Sequence, residues 1–93
     1  MGTVARRMVV TGRVQGVAFR VATRDAALAA GARGWVRNRA DGAVEAHVEG
    51  TAEAVEAVIR FARTGPRAAR VNRVEVEPAA PSGAAGFAIA PDA

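Results

Sequence analysis

The chain contains no cysteine, no lysine and no tyrosine, and it has a single histidine, His47. The absence of cysteine excludes disulfides, thiolate metal ligands and a cysteine nucleophile. One histidine without a lysine or cysteine cannot supply the usual nucleophile and base, nor a cluster of histidine ligands for a metal ion. An enzyme built from these residues must therefore work mainly by electrostatics and by positioning its substrate.

The length and charge of the chain predict one small domain with an anionic partner. Its 93 residues suffice for a single domain over residues 1–93 with one hydrophobic core. All 13 basic residues are arginines, against nine acidic residues, which gives a net charge of +4. The planar guanidinium matches phosphate and carboxylate. No apolar run is long enough for a signal peptide or a membrane span, so we expect a cytoplasmic protein with no membrane partner.

Two periodicities alternate along the sequence. Helical spacing predicts one helix from Phe19 to stop signals at Gly31 and Gly34, and a second from an N-cap at Thr51 to Gly65-Pro66. An Asp-Gly pair, Asp41-Gly42, lies between two alternating runs and predicts a hairpin. Residues 79–86 form a predicted loop around Pro81, Ser82 and Gly83. The predicted strands are Met8–Val14, Trp35–Arg39, Ala43–Gly50, Val71–Glu77 and a short closing strand Phe87–Ile89.

The order strand, helix, strand, strand, helix, strand predicts an α+β fold. The expected architecture is a ferredoxin-like βαββαβ sandwich, in which two helices cover one face of an antiparallel sheet of four to five strands. Alternation places Val74 and Val76 toward the core. It also places Trp35 and Asn38 on opposite faces, so we interpret Trp35 as a packing residue. Such a fold is compatible with many functions.

The remaining polar residues of the strands are expected to be structural. His47 alternates with apolar neighbours and shares its predicted face with Glu45 and Glu49, which favours a solvated surface histidine. The pair Glu75 and Glu77 shows the same strand spacing. None of these carboxylate pairs is predicted to be catalytic.

The segment from Gly12 to Arg20 is the candidate functional site. It connects the first strand to the first helix through a glycine-containing turn. Main-chain N–H groups of such a turn and of a helix start can converge on an anion. Arg20, at the junction with the helix, would add a fixed guanidinium to the same point. Taken by itself, the loop could equally be an ordinary turn with Arg20 as a solvated charge.

The chemical inventory favours one class of substrate. In an acyl phosphate the leaving group is a carboxylate with a pKa of about 4, so no general acid is required. An alkyl phosphate releases an alkoxide with a pKa on the order of 15, which calls for a proton donor or a metal. The sequence therefore favours acyl phosphates over ordinary phosphate esters.

These residues carry a specific resemblance to a known family. The motif V-Q-G-V-A-F-R at residues 14–20, followed by G-W-V-R-N from Gly34 and by D-G-A-V-E from Asp41, resembles the acylphosphatases, small enzymes that hydrolyse carboxyl-phosphate bonds. The similarity extends from Met8 to G-F-A-I at residues 86–89. Two ordered motifs at the family's separation make this resemblance specific.

The resemblance implies residue roles without cofactor or metal. Arg20 would be the catalytic arginine that binds phosphate, and Asn38 would position the attacking water. The substrate would be a small acyl phosphate bound by a monomer, with inorganic phosphate as product and sulfate as a mimic. The substrate-binding main-chain N–H groups would come from the loop residues Gln15, Gly16, Val17, Ala18 and Phe19.

Two other functions compete with this hypothesis. An RNA-binding module would suit the sheet and the positive charge, but such sheets present several stacking aromatics, and this chain has one tryptophan and three phenylalanines. The sequence therefore disfavours nucleic acid as a partner. A relative that binds carboxyl phosphates without hydrolysing them is the second alternative, although both motif residues are present.

Overall fold

The structure is a computed structural model that describes residues 2–93. Every predicted element is present, with shifted ends. Thr51 caps the second helix as predicted, because its Oγ1 accepts a hydrogen bond from the N–H of Ala54 at 3.1 Å. The elements are β1 (Val4–Arg13), α1 (Phe19–Ala30), β2 (Arg33–Asn38), β3 (Val44–Gly50), α2 (Ala52–Thr64), β4 (Arg70–Pro78) and β5 (Phe87–Ile89).

The five strands form one sheet in the order β4-β1-β3-β2-β5. Neighbouring strands are antiparallel except β2 and β5, which run parallel. The predicted ferredoxin-like sandwich is confirmed, and the predicted closing strand is present as β5, but it pairs parallel with β2 where an antiparallel sheet was expected. β1 begins at Val4, earlier than predicted, because it pairs with β3 as far as Gly50. Such pairing is tertiary and leaves no periodic signal in β1 itself.

The core lies between the two helices and one face of the sheet. Met8, Val10, Val36 and Val58 have no exposed surface there. Val76 departs from the prediction: its side chain is aligned with the core face but is 37% exposed. β4 is one of the two edge strands of the sheet, so the layer of helices covers it incompletely.

The face of the sheet opposite the helices is called here the open face. Three predictions about residues on this face were wrong. Glu45, His47 and Glu49 were expected to be exposed but are buried, with exposures of 5%, 8% and 0%. Glu45 is held between two arginines, Arg7 at 2.7 Å and Arg37 at 2.8 Å. Burial alone would raise the pKa of Glu45, but hydrogen bonds from these guanidinium groups lower it.

Glu49 lies under the loop that precedes β5. Its carboxylate accepts hydrogen bonds from the main-chain N–H groups of Ser82, Gly83 and Ala84 at 2.7, 2.9 and 3.1 Å, and from the Ser82 hydroxyl at 2.9 Å. His47 Nε2 is a further partner at 2.5 Å. Burial opposes ionisation, yet these hydrogen bonds lower the pKa of Glu49 to about 2. We call residues 82–84 the inner loop.

Trp35 is a packing residue, as the alternation predicted. Its ring stacks on His47 with centroids 6.3 Å apart, and the guanidinium of Arg37 lies 4.9 Å from its centroid. Glu75 and Glu77 are exposed as predicted. Within the described residues, no helix is both long enough and apolar enough to cross a membrane.

Gly12 ends the regular part of β1. The pairing with β4 shifts register between Thr11 and Gly12, and Gly12 has a φ of 127°. A Cβ at this position would collide with the carbonyl oxygen of Arg70. The bulge thus requires glycine, and it directs the chain from the sheet into the following loop.

Candidate active site

The loop of residues 15–18, which we call the phosphate loop, lies between two buried anchors. Val14 before it is 1% exposed and Phe19 after it is 2% exposed. The ring of Phe19 packs against Phe61 of α2, with centroids 6.3 Å apart and planes at 47°. Gly16 and Ala18, between the anchors, are exposed. The hydrophobic core therefore fixes both ends of a short loop whose middle faces solvent.

The backbone of the phosphate loop twice adopts a left-handed conformation. Gly16 has a φ of 74° and Ala18 a φ of 63°. Within residues 2–93, Ala18 alone among non-glycine residues has a positive φ. An L-residue in this region costs roughly 1–2 kcal/mol. Alternating backbone conformations of this kind turn successive N–H groups toward a common point, which makes an anion-binding concavity.

The N–H groups of the phosphate loop and of the start of α1 have no acceptors among the described residues. Over residues 2–93, none of the main-chain N–H groups from Gln15 to Val21 donates to a protein acceptor. The first donor of the helix is Ala22, whose N–H bonds the carbonyl oxygen of Ala18 at 3.0 Å. No side chain of the described part of the chain caps this helix start, and its first turn contains no acidic residue. The positive end of the helix dipole is therefore available to an external anion.

Arg20 lies in the first turn of α1, beside these N–H groups. Its side chain is 38% exposed, and Nη1 lies 3.2 Å from Oδ1 of Asp92, which is 65% exposed. No local pattern in the sequence indicates this contact with Asp92, because the two residues are 72 positions apart. An exposed ion pair of this kind is weak. A phosphate dianion can compete with Asp92 for the guanidinium.

Asn38 is the last residue of β2. It shares the core face of the sheet with Val36, so its side chain is directed to the same side as the helices. Its Oδ1 atom is buried and, among the residues that the structure describes, has no hydrogen-bond partner. A buried carbonyl oxygen without a partner costs about 1–3 kcal/mol. The carboxamide is thus suited to accept a hydrogen bond from water or substrate.

Two sets of hydrogen bonds place Asn38 at the same end of the sheet as the phosphate loop. The side chain of Gln15 donates to main-chain oxygens of the turn that follows Asn38. On the other side, the N–H of Ala93 bonds the carbonyl oxygen of Asn38 at 3.0 Å, and the neighbouring Asp92 contacts Arg20. The structure therefore places the phosphate loop, Arg20 and Asn38 at the same end of the sheet.

A cavity of about 430 Å³ lies elsewhere, on the open face. The three arginines of its lining are all engaged by carboxylates: Arg7 and Arg37 by Glu45, and Arg39 by Asp41 at 2.6 Å. Because Arg7 and Arg37 are paired with the buried carboxylate of Glu45, whereas Arg20 is paired with the exposed Asp92, this cavity is a weaker anion site than the phosphate loop. Its lining consists of Arg7, Arg37, Arg39, Ala40, Asp41, Glu45 and Ala93.

The structure shows no metal centre in the part of the chain that it describes. Within residues 2–93, no three His, Asp or Glu side chains lie close enough together to hold one ion. The donors at the candidate site are main-chain N–H groups, a guanidinium and a carboxamide. These groups bind oxyanions directly.

The chain is similar to proteins of a known family. The acylphosphatase family model matches residues 6–89. An acylphosphatase of Anaeromyxobacter dehalogenans is 54% identical over 83 residues, which cover 89% of this chain and 89% of that protein.

Solved structures of acylphosphatases are also similar. That from Coxiella burnetii has a TM-score of 0.91 and 28% identity, over 95% of this chain and 93% of the other. The crystal structure from Bacillus subtilis has a TM-score of 0.90 and 33% identity, over 94% of this chain and 98% of the other.

These similarities identify a hydrolase that acts on acyl phosphates. The chain belongs to the acylphosphatase family.

Proposed function

We propose that this chain hydrolyses the carboxyl-phosphate bond by in-line attack of a water molecule that Asn38 orients, while Arg20 and the phosphate loop hold the phosphoryl group. The observation that supports this proposal is the run of main-chain N–H groups from Gln15 to Val21 that have no acceptor within residues 2–93. These donors are built into the backbone, so they need no reorganisation when charge develops on the phosphoryl oxygens. Those of residues 15–19 line the predicted substrate site.

Arg20 supplies the side-chain charge of the site. Its guanidinium offers two parallel N–H donors to phosphoryl oxygens, a geometry that a lysine ammonium cannot reproduce. Because Asp92 is exposed and the pair is single, the arriving dianion can displace it. The loss of one preorganised donor at such a site costs roughly 2.7–4 kcal/mol of transition-state stabilisation.

Asn38 orients the nucleophile without acting as a base. Its buried Oδ1 accepts a hydrogen bond from water, which directs a lone pair of the water oxygen toward phosphorus. The new bond joins that oxygen to phosphorus while the bond to the acyl oxygen breaks. The carboxylate leaves with the bonding electrons, and both protons of the water stay with the phosphate product, which is released as dihydrogen phosphate. A carboxylate with a pKa of about 4 needs no proton donor to depart.

The proposal includes the setting in which the enzyme works. We infer a monomer of one domain, residues 1–93, that acts in the cytoplasm on small acyl phosphates and releases inorganic phosphate, without metal or cofactor. Nucleic-acid binding has less support, since His47 and Arg37 flank the ring of Trp35 and leave it poorly placed to stack on a base.

The test is hydrolysis of benzoyl phosphate in the presence of a chelator. We expect turnover by the wild type, and a fall in kcat/KM of about 100-fold or more for Arg20→Ala and for Asn38→Ala. Arg24→Ala is the matched control, because Arg24 lies one turn further along α1 and its side chain is also 38% exposed. It should change the rate less than about threefold. Absence of turnover by the wild type, or full rates in both site variants, would refute the proposal.

A further inference from the structure

We propose that the side chain of Gln15 is a positioning residue that sets the place of Asn38 relative to the phosphate loop. This inference rests on the proposed function and deepens it. Gln15 was expected to contribute only its main-chain N–H. In the structure its side-chain carboxamide also forms hydrogen bonds with the turn between β2 and β3.

The contact uses both protons of the Gln15 amide. Nε2 donates to the carbonyl oxygen of Arg39 at 2.8 Å and to that of Ala43 at 3.0 Å. Both acceptors are oxygens, so the NH₂ end of the carboxamide must face them. One side chain therefore joins the first residue of the phosphate loop to both ends of a turn 24 to 28 residues away.

The turn that Gln15 contacts is a closed unit. The N–H of Arg39 bonds the carbonyl oxygen of Ala43 at 2.8 Å, and the N–H of Gly42 bonds that of Arg39 at 3.1 Å. The Asp41 carboxylate accepts from the N–H of Ala43 at 3.1 Å. Because Gln15 bonds the two carbonyl groups that close this unit, it holds the turn as a whole.

Asn38 is the residue immediately before this turn. The position of Asn38 therefore depends on its neighbour Arg39, which Gln15 holds by a hydrogen bond. Gln15 in turn belongs to the loop that holds the phosphoryl group. Phosphate binding does not need this tie, because the loop N–H groups and Arg20 all belong to one continuous segment. Attack by water does need it, because water and phosphorus are held by different parts of the chain. A misplacement of about 1 Å at this stage can cost on the order of 100-fold in rate.

The variant that tests this is Gln15→Met. Methionine keeps the length of the side chain, removes both donors and adds no charge beside the phosphate. Arg39 and Ala43 keep their hydrogen bonds within the turn, so neither carbonyl is left without a partner. We expect kcat for benzoyl phosphate to fall about tenfold or more, while the Kd for inorganic phosphate changes less than about threefold.

A double-mutant cycle with Asn38→Ala separates positioning from a structural effect. If Gln15 acts through Asn38, Gln15→Met should lower kcat less than about twofold once Asn38 is alanine. Thr51→Ala is the stability control, because it removes the cap of α2 far from the site. Its kcat should be unchanged at a temperature where both variants are folded.

The outcomes are distinct from those of the proposed function. An equal loss of kcat in the wild-type and Asn38→Ala backgrounds would overturn the inference, as would an unchanged kcat in Gln15→Met. A parallel loss of phosphate affinity would do the same, since it would place Gln15 in phosphate binding alone. In each of these cases the wild type still hydrolyses benzoyl phosphate, whereas failure of the proposed function is a wild type without turnover.

Discussion

The phosphate loop and the inner loop use the same physical device for different purposes. Each presents successive main-chain N–H groups around a residue with left-handed backbone, Gly16 with a φ of 74° and Gly83 with a φ of 78°. In the inner loop the anion is the carboxylate of Glu49, which belongs to the chain. In the phosphate loop the corresponding N–H groups have no acceptor within residues 2–93.

The difference lies in the source of the anion. Glu49 is fully buried and holds the inner loop against the open face, so this loop contributes to stability. The phosphate loop leaves its middle exposed, so a negative charge from outside can reach it, and we propose that it contributes to binding. A chain that supplied its own carboxylate at the phosphate loop would gain stability there and lose the site.

The largest expected effect comes from removing the internal anion. Glu49→Gln leaves one acceptor oxygen where the carboxylate had two, and places NH₂ donors against the N–H groups of the inner loop. We expect a loss of about 3 kcal/mol in the free energy of unfolding, measured in urea at neutral pH. Glu75→Gln is the matched control, because this carboxylate is exposed and should change stability by less than about 0.5 kcal/mol. Similar small losses in both variants would contradict the role given to the inner loop.

Acid should remove the same contribution by protonating Glu49. Its pKa is lowered from 4.5 in the unfolded chain to about 2 in the folded protein. The stabilisation is therefore complete above pH 4.5 and is lost as the pH falls toward 2. The shift corresponds to about 3 kcal/mol.

The free energy of unfolding is measured in urea at several acidic pH values for the wild type and for Glu49→Gln. The difference between the two proteins at each pH gives the contribution of Glu49. Other carboxylates, such as Glu45, titrate in both proteins and cancel. Ser82→Ala removes only the hydroxyl donor to Glu49. The free energy of unfolding of this variant should depend on pH less steeply than that of the wild type and more steeply than that of Glu49→Gln. A difference that stays constant as the pH falls would show that Glu49 is not the group responsible.

An external anion should stabilise the phosphate loop as Glu49 stabilises the inner loop. Inorganic phosphate at 100 times its Kd should raise the free energy of unfolding by about 2.7 kcal/mol. Thermal unfolding with increasing phosphate measures this at constant ionic strength. In Arg20→Ala the rise should be much smaller, whereas in Arg24→Ala it should match the wild type. Equal rises in all three proteins would mean that phosphate binds elsewhere.

The smallest expected effects concern the backbone of the phosphate loop. Ala18→Gly should stabilise the protein by about 0.5–1 kcal/mol, because glycine accepts the φ of 63° without strain. Gly16→Ala should destabilise it by about 1 kcal/mol. A Cβ at Gly16 would meet no atom within 4 Å, so this cost is conformational and involves no collision. Changes of the same sign in the two variants would contradict the left-handed geometry of the loop.

The two loops differ in how far they could be predicted from the sequence. Local patterns predicted the phosphate loop. Its signals lie close together in the sequence: the change from strand to helical period, the glycine at position 16 and the arginine at position 20. The Asp41-Gly42 pair likewise identified the hairpin that carries Asn38. The inner loop had no such signal, because Glu49 and Ser82 are 33 residues apart. The alternation of β3 wrongly predicted that Glu49 was solvated.

The amino-acid order by itself determined the succession of strands and helices and the chemical groups available for binding phosphate. Both follow from short-range periodicity and from the identity of neighbouring residues. The tertiary structure decided which strands pair, which face of β3 is covered, and how Gln15, Asp92 and Asn38 meet at one end of the sheet. Those contacts join residues far apart in the chain, so they depend on the packing of the whole domain and leave no local pattern in the sequence.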